Sequence, residues 1–203
     1  LNQKMEYLRS VESEKKAYSS MSLYDEGGVK LGDTRGLKVG LNESEKPFFK
    51  EAIEGNIYVD PRPIYSESLG VAVLHFSGPL RDGNGTIKGV VVTRFAMTRI
   101  NDLFADAGEN NDIEDHIAID LVDRDGLILF SNHNKAAVLK DRLSGLEIFK
   151  EVSASQEGKE TLVSTYEGNE ALFIGVREQG FLDYKGYGWI LIAHVDTDVA
   201  FAS

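Results

Sequence analysis

Cysteine is missing altogether from the 203 residues, which removes disulfides, thiolate metal sites and cysteine nucleophiles at one stroke. Long apolar runs are missing too. Stretches such as 70–74 and 189–193 fall far short of the roughly 20 residues a membrane-spanning helix needs. No basic start leads into an apolar stretch, so no signal peptide is read. The chain opens on Leu1 rather than Met, and we expect a fragment of a longer protein whose anchor lies elsewhere.

Positive charge is scarce. Lys and Arg total 22 against 33 Asp and Glu, a net charge of −11, and the basic residues are scattered, with Lys15-Lys16 the densest patch. That balance excludes nucleic acid as a partner, because phosphate contacts need clustered cations. Catalytic signatures are lacking as well: there is no Gly-x-Ser-x-Gly elbow and no phosphate loop. His75, His116, His133 and His194 are dispersed, with no His-Glu-x-x-His pairing. Asp123, Asp125 and Gly126 hint at a calcium loop, but Leu121 stands at its first acidic position. The stretch Asp82-Gly83-Asn84-Gly85 has Thr93 where the closing glutamate belongs. Both are read as hairpin turns. The expectation is a non-enzyme with no metal and no cofactor.

What is present is a folded chain, 42% hydrophobic, and a faint internal repeat. "LYDEGGVKL" around Asp25 matches "LVDRDGLIL" around Asp123, an offset of 98. Phe49-Lys50-Glu51 recurs as Phe149-Lys150-Glu151, an offset of 100. Phe76-Ser77-Gly78 pairs with Phe173-Ile174-Gly175 at 97, and Gly89 with Gly188 at 99. Four landmarks in one order and nearly one spacing read as two copies of one module. Each copy opens on a hairpin, passes through a short amphipathic helix, and closes on three strands rich in Val, Ile, Phe and Tyr. The predicted class is α+β, with a long N-terminal helix followed by two PAS-like modules. Each module is an antiparallel sheet of about five strands with flanking helices. The predicted bounds are a stalk helix over 1–20, a first module over 21–107, a second over 108–195, and the start of a C-terminal helix over 196–203. A linker helix is predicted over 98–107, and Asp196 is predicted to cap the last helix.

The order of "SLYDEGGVKLGD", "FFKEAIEG", "FSGPLRDGNGTIKGVVV", "IDLVDRDGLILFSN" and "GYGWILIAHVDTDVAFA" resembles a double Cache domain. That is the tandem PAS-like extracytoplasmic sensor region of bacterial and archaeal chemoreceptors and histidine kinases. The resemblance covers nearly the whole chain. It implies that the first module is membrane-distal and holds a small ligand, and that the second is membrane-proximal. It further implies a membrane-anchored parent that forms a homodimer and passes a conformational change to a cytoplasmic output.

In the amino-acid-binding branch of that family, a Tyr and an Arg-x-Trp-Tyr-x-x-Ala segment grip the ligand carboxylate, and an Asp on the module's last strand grips its ammonium. Those positions fall on Leu41, Lys46, Phe48, Phe49 and Ala52, with Arg94 at the Asp position. An arginine has donors only and cannot receive an ammonium; alpha-amino acids are therefore disfavoured, and an anionic ligand such as a small carboxylate is favoured. The candidate ligand-binding residues are Lys46, Phe49, Tyr58, Arg62, Tyr65, His75, Ser77 and Arg94. Two readings stay open: a small-molecule sensor, and a ligand-free module that senses a periplasmic partner protein.

Overall fold

The computed structural model describes residues 1–14, 18–100, 116–180 and 184–201. The chain divides into two units, Leu1–Leu103 and Phe104–Ser203. Among the described residues, no helix is long and apolar enough to cross a membrane.

In the first unit, helix α1 (Asn2–Glu14) precedes β1 (Tyr18–Tyr24) and β2 (Lys30–Asp33). Helix α2 (Pro47–Ile53) leads to β3 (Tyr58–Val59), β4 (Ile64–Ser66), β5 (Val71–Arg81) and β6 (Ile87–Ala96). The strands form one antiparallel sheet in the order β2-β1-β6-β5-β3, with β4 also paired to β5. Side chains alternate between the sheet faces, and the two faces bury different elements. On one, Met21, Leu23 and Val91 pack under Met5 and Leu8 of α1. On the other, Tyr24, Val90 and Val92 pack under Phe48, Phe49 and Ala52 of α2.

The helix predicted over 1–20 is shorter: its last described residue is Glu14, and Tyr18–Tyr24 is strand. Ser19 to Tyr24 are all buried, so sheet pairing on both sides of β1 overrides the helical pattern. Of the predicted linker helix, Met97–Arg99 is a single 3-10 turn, and 101–107 lies outside the described residues.

The second unit holds β7 (Ala118–Val122), β8 (Ile128–Ser131), helix α3 (Glu147–Ala154), β9 (Lys159–Tyr166), β10 (Asn169–Arg177) and β11 (Ile190–Asp196). Its sheet order, β8-β7-β11-β10-β9, repeats that of the first unit strand for strand. Ile148, Phe149 and Val152 of α3 pack on Val122, Phe173, Ile190 and Ile192. Thr197–Ala200 is one helical turn, and Asp196 stands at its N-cap without a side-chain cap bond.

The repeat reaches the level of atoms at the opening hairpins. Asp25 Oδ1 accepts from the backbone N–H of Gly27 and Val29. Asp123 Oδ1 accepts likewise from Asp125 and Leu127. Gly28 and Gly126 follow with φ of 82° and 80°, and a Cβ on either would lie 2.6 Å from backbone or side-chain atoms of Ser44 or Ser144. Only glycine fits there. In the later strands the sequence pairing slips by one residue. Val91 lies opposite Leu23 and Leu191 opposite Leu121, so residue 89 corresponds to Trp189 rather than Gly188.

Candidate ligand-binding site

The α2 face of the first sheet is not filled by apolar side chains along its whole length. Between α2, β3, β4 and the sheet lies a cavity of about 570 Å³. Ser22 and Tyr24 of β1, Lys30 of β2, His75 of β5, and Val92 and Arg94 of β6 form its sheet-side wall. Lys46, Pro47 and Phe48 enclose it from the start of α2, and Tyr58, Asp60, Arg62, Tyr65 and Ser68 from the segment carrying β3 and β4.

Of the residues singled out from the sequence, Lys46, Tyr58, Arg62, Tyr65, His75 and Arg94 are on this wall. Phe49 and Ser77 are not, and both are corrected. Phe49 is 4% exposed and points into the apolar cluster under α2, leaving Phe48, one position earlier, to face the cavity. Ser77 is buried with its hydroxyl donating 2.7 Å to the Phe48 carbonyl, so it fixes α2 to the sheet. Ser77 lies two residues from His75 on the same face of β5, and α2 covers it there.

Arg94 is held by three side chains. Its guanidinium donates to Ser20 Oγ at 2.5 Å, Ser68 Oγ at 3.2 Å and Asp33 Oδ2 at 2.9 Å. Asp33 also accepts from Ser22 Oγ and from the backbone N–H of Arg35 and Leu37. Asp33 pairs with Arg94 across 61 residues of chain, a link that no local motif announces.

A second charged group went unseen in the sequence. Lys30 Nζ lies 3.2 Å from Glu43 Oε2, with side chains 4% and 13% exposed, and 5.4 Å above the Tyr24 ring. Tyr24 donates its hydroxyl to the same Glu43 oxygen at 2.6 Å. Burial pushes the Glu43 carboxyl upward, but the Tyr24 hydrogen bond and the Lys30 charge outweigh it and hold the group below the usual carboxylate range. Burial first, then the Glu43 contact, drives the Tyr24 hydroxyl well above its ordinary value. The third group is Asp60, whose Oδ2 accepts from the His75 backbone N–H at 2.6 Å and lies 2.8 Å from His75 Nδ1. Tyr58 donates to its Oδ1 at 3.3 Å. The His75 ring stacks on Phe48, centroids 5.2 Å apart, which locks it onto the wall.

Five cations (Lys30, Lys38, Lys46, Arg62, Arg94) and three carboxylates (Glu43, Asp60, Glu67) reach the cavity. With Asp33, which pairs with Arg94 from behind the wall, counted as a fourth carboxylate, the site keeps a surplus of one positive charge in a chain of net charge −11. Lys30 and Arg94 spend theirs on buried partners. Lys38 and Lys46 are the exposed lysines of the lining.

No protein-family model and no curated protein matches the sequence. Solved structures match the fold closely. The extracellular domain of a histidine kinase is similar with a TM-score of 0.64 and 18% identity, covering 98% of this chain and 79% of the other. The ligand-binding domain of the Pseudomonas aeruginosa amino-acid chemoreceptor PctB, complexed with L-arginine, gives a TM-score of 0.63 at 19% identity, covering 98% and 87%. That of the Pseudomonas fluorescens chemoreceptor CtaA with L-alanine gives 0.62 at 17%, covering 94% and 77%.

The chain shares the two-module fold of these extracellular and ligand-binding domains. In this fold the two sheets of the chain are the two modules, and the cavity belongs to the first of them.

Proposed function

We propose that the chain is the extracytoplasmic ligand-sensing region of a membrane-anchored receptor, and that its first module binds a small anion of the carboxylate class. The observation that carries this reading is the positive surplus of the cavity lining within an acidic chain. The volume of about 570 Å³ suits a small molecule, since such sites run from about 300 to 1,000 Å³. The fold supports the sensing role. Binding would shift the population of module conformations and so bias a kinase or chemoreceptor output.

Two of the three carboxylates at this cavity are already committed, which leaves exposed Glu67 to meet an ammonium. Glu43 is taken up by Lys30 and Tyr24, and Asp60 by His75 and Tyr58. We therefore favour an anion over an amino acid as the ligand, although PctB and CtaA were solved with L-arginine and L-alanine.

A melting-temperature screen of mono- and dicarboxylates against amino acids, amines and purines tests the proposal. A ligand at 100 times its Kd stabilises by about 2.7 kcal/mol. Lys46 is exposed and makes no side-chain cap bond at the start of α2. Lys46→Ala should therefore leave the unliganded melting point in place and weaken a bound carboxylate about tenfold, a loss of about 1.4 kcal/mol. If only amines or neutral amino acids stabilise the protein, the anionic reading is wrong. If no compound does, a module that senses a partner protein is the better account.

A further inference from the structure

The second sheet holds a polar group of a different kind at the place where the first sheet holds Arg94. His194 lies on β11 opposite Phe173 and Ala118, as Arg94 lies on β6 opposite His75 and Ser20. Asp120 of β7 faces Ser131 of β8, the mirror of Ser22 facing Asp33 in the first unit. The acid and the serine have exchanged strands, and a histidine has replaced the arginine.

That exchange leaves the second carboxylate short of partners. In the first unit the buried Asp33 is answered by a guanidinium, a hydroxyl and two backbone N–H groups. Asp120, with a side chain 3% exposed, has His133 Nε2 at 3.0 Å from Oδ2, while its Oδ1 has no hydrogen-bond partner among the described residues. His194 Nε2 is also buried with no partner among the described residues. The His194 ring is wedged between Tyr166 and Phe173, with centroids at 4.7 and 5.0 Å, and meets His133 edge-on at 5.5 Å. An orphaned oxygen on a buried carboxylate is costly, and something positive must answer it.

We propose that Asp120, His133 and His194 form a binding site for a divalent transition-metal ion. One donor atom from each lies within 4.8 Å of the other two. Two imidazoles and one carboxylate are the donor set of zinc and its neighbours, whereas calcium and magnesium favour oxygen. Three protein ligands leave a fourth position open. Donors on a zinc ion sit about 3.3 Å apart when tetrahedral, so the side chains have to draw in. His133, 34% exposed, is free to do this and marks the way in. The three residues are scattered at 120, 133 and 194, so only the folding of β7, β8 and β11 into one sheet unites them.

The test uses the full chain, stripped of metal with a chelator and titrated with zinc and then cobalt(II). One equivalent should bind, cobalt should show visible ligand-field bands, and the melting temperature should rise. His133→Ala and His194→Ala should each lower zinc affinity at least about tenfold, since even the loss of an outer-sphere partner costs about 10- to 100-fold. Lys46→Ala in the first unit should leave zinc affinity unchanged while weakening a carboxylate, which keeps this result separate from the anion site. If Asp120→Asn fails to fold, the partly exposed His133→Ala still carries the test. No bound metal, or unchanged affinity in both histidine variants, overturns the proposal.

Discussion

Arg94 shows how a residue can line a cavity and yet be committed elsewhere. It is 7% exposed and bound to Asp33, which is itself 2% exposed. Removing one partner of such a pair leaves an uncompensated buried charge and costs about 3–5 kcal/mol. Arg94→Met and Asp33→Leu should each destabilise the chain by that order in chemical denaturation, and the double variant should cost clearly less than their sum. Additive losses would mean the two do not act as a pair. Glu43 gives a pH signature. Its folded pKa is depressed, so its contribution is fully present above the ordinary carboxylate value and is lost as pH falls through the folded value. Glu43→Gln should therefore flatten the acid side of the stability profile, and an unchanged acid limb would contradict the Lys30–Glu43–Tyr24 arrangement. Arg94 was reached from the sequence through the family resemblance, because it falls where the amino-acid-binding branch has an Asp. Its partner Asp33, and Glu43 and Asp60, were not, being three among 33 acids whose roles depend on pairings that only the fold makes.

At the scale of elements, what could be read was what is locally encoded. The Asp25 and Asp123 hairpins were legible because one carboxylate receiving two backbone N–H groups, followed by a glycine at positive φ, writes itself into four residues. Asp25→Ala and Asp123→Ala should cost similar amounts, about 1–3 kcal/mol each, since both strand a pair of turn N–H groups. Gly126→Ala should cost more than a surface glycine such as Gly83, whose Cβ would meet nothing. Equal melting points for those two variants would contradict the close approach to Ser144. The short β4, Ile64–Ser66, went unread, because two of its three residues are exposed and its pairing with β5 supplies what propensity does not. The end of α1 was misplaced for the same reason: pairing with β2 and β6 outweighs helical periodicity.

At the scale of the whole molecule, two sheets of one strand order have diverged in the chemistry of one corresponding spot. The first carries arginine, aspartate and serine beside a cavity with surplus positive charge; the second carries two histidines and an aspartate. The shared architecture was visible as a repeat because turn and helix signals recur at a near-constant spacing. The difference was invisible because it lies in which strands face each other. The most direct measurement of the central claim is a calorimetric titration of small carboxylates into the chain, its Lys46→Ala variant and its His133→Ala variant. We expect one site per chain, weakened about tenfold by Lys46→Ala and unaffected by His133→Ala. Absence of heat with every anion, or a loss that follows His133→Ala instead, would contradict an anion site in the first module.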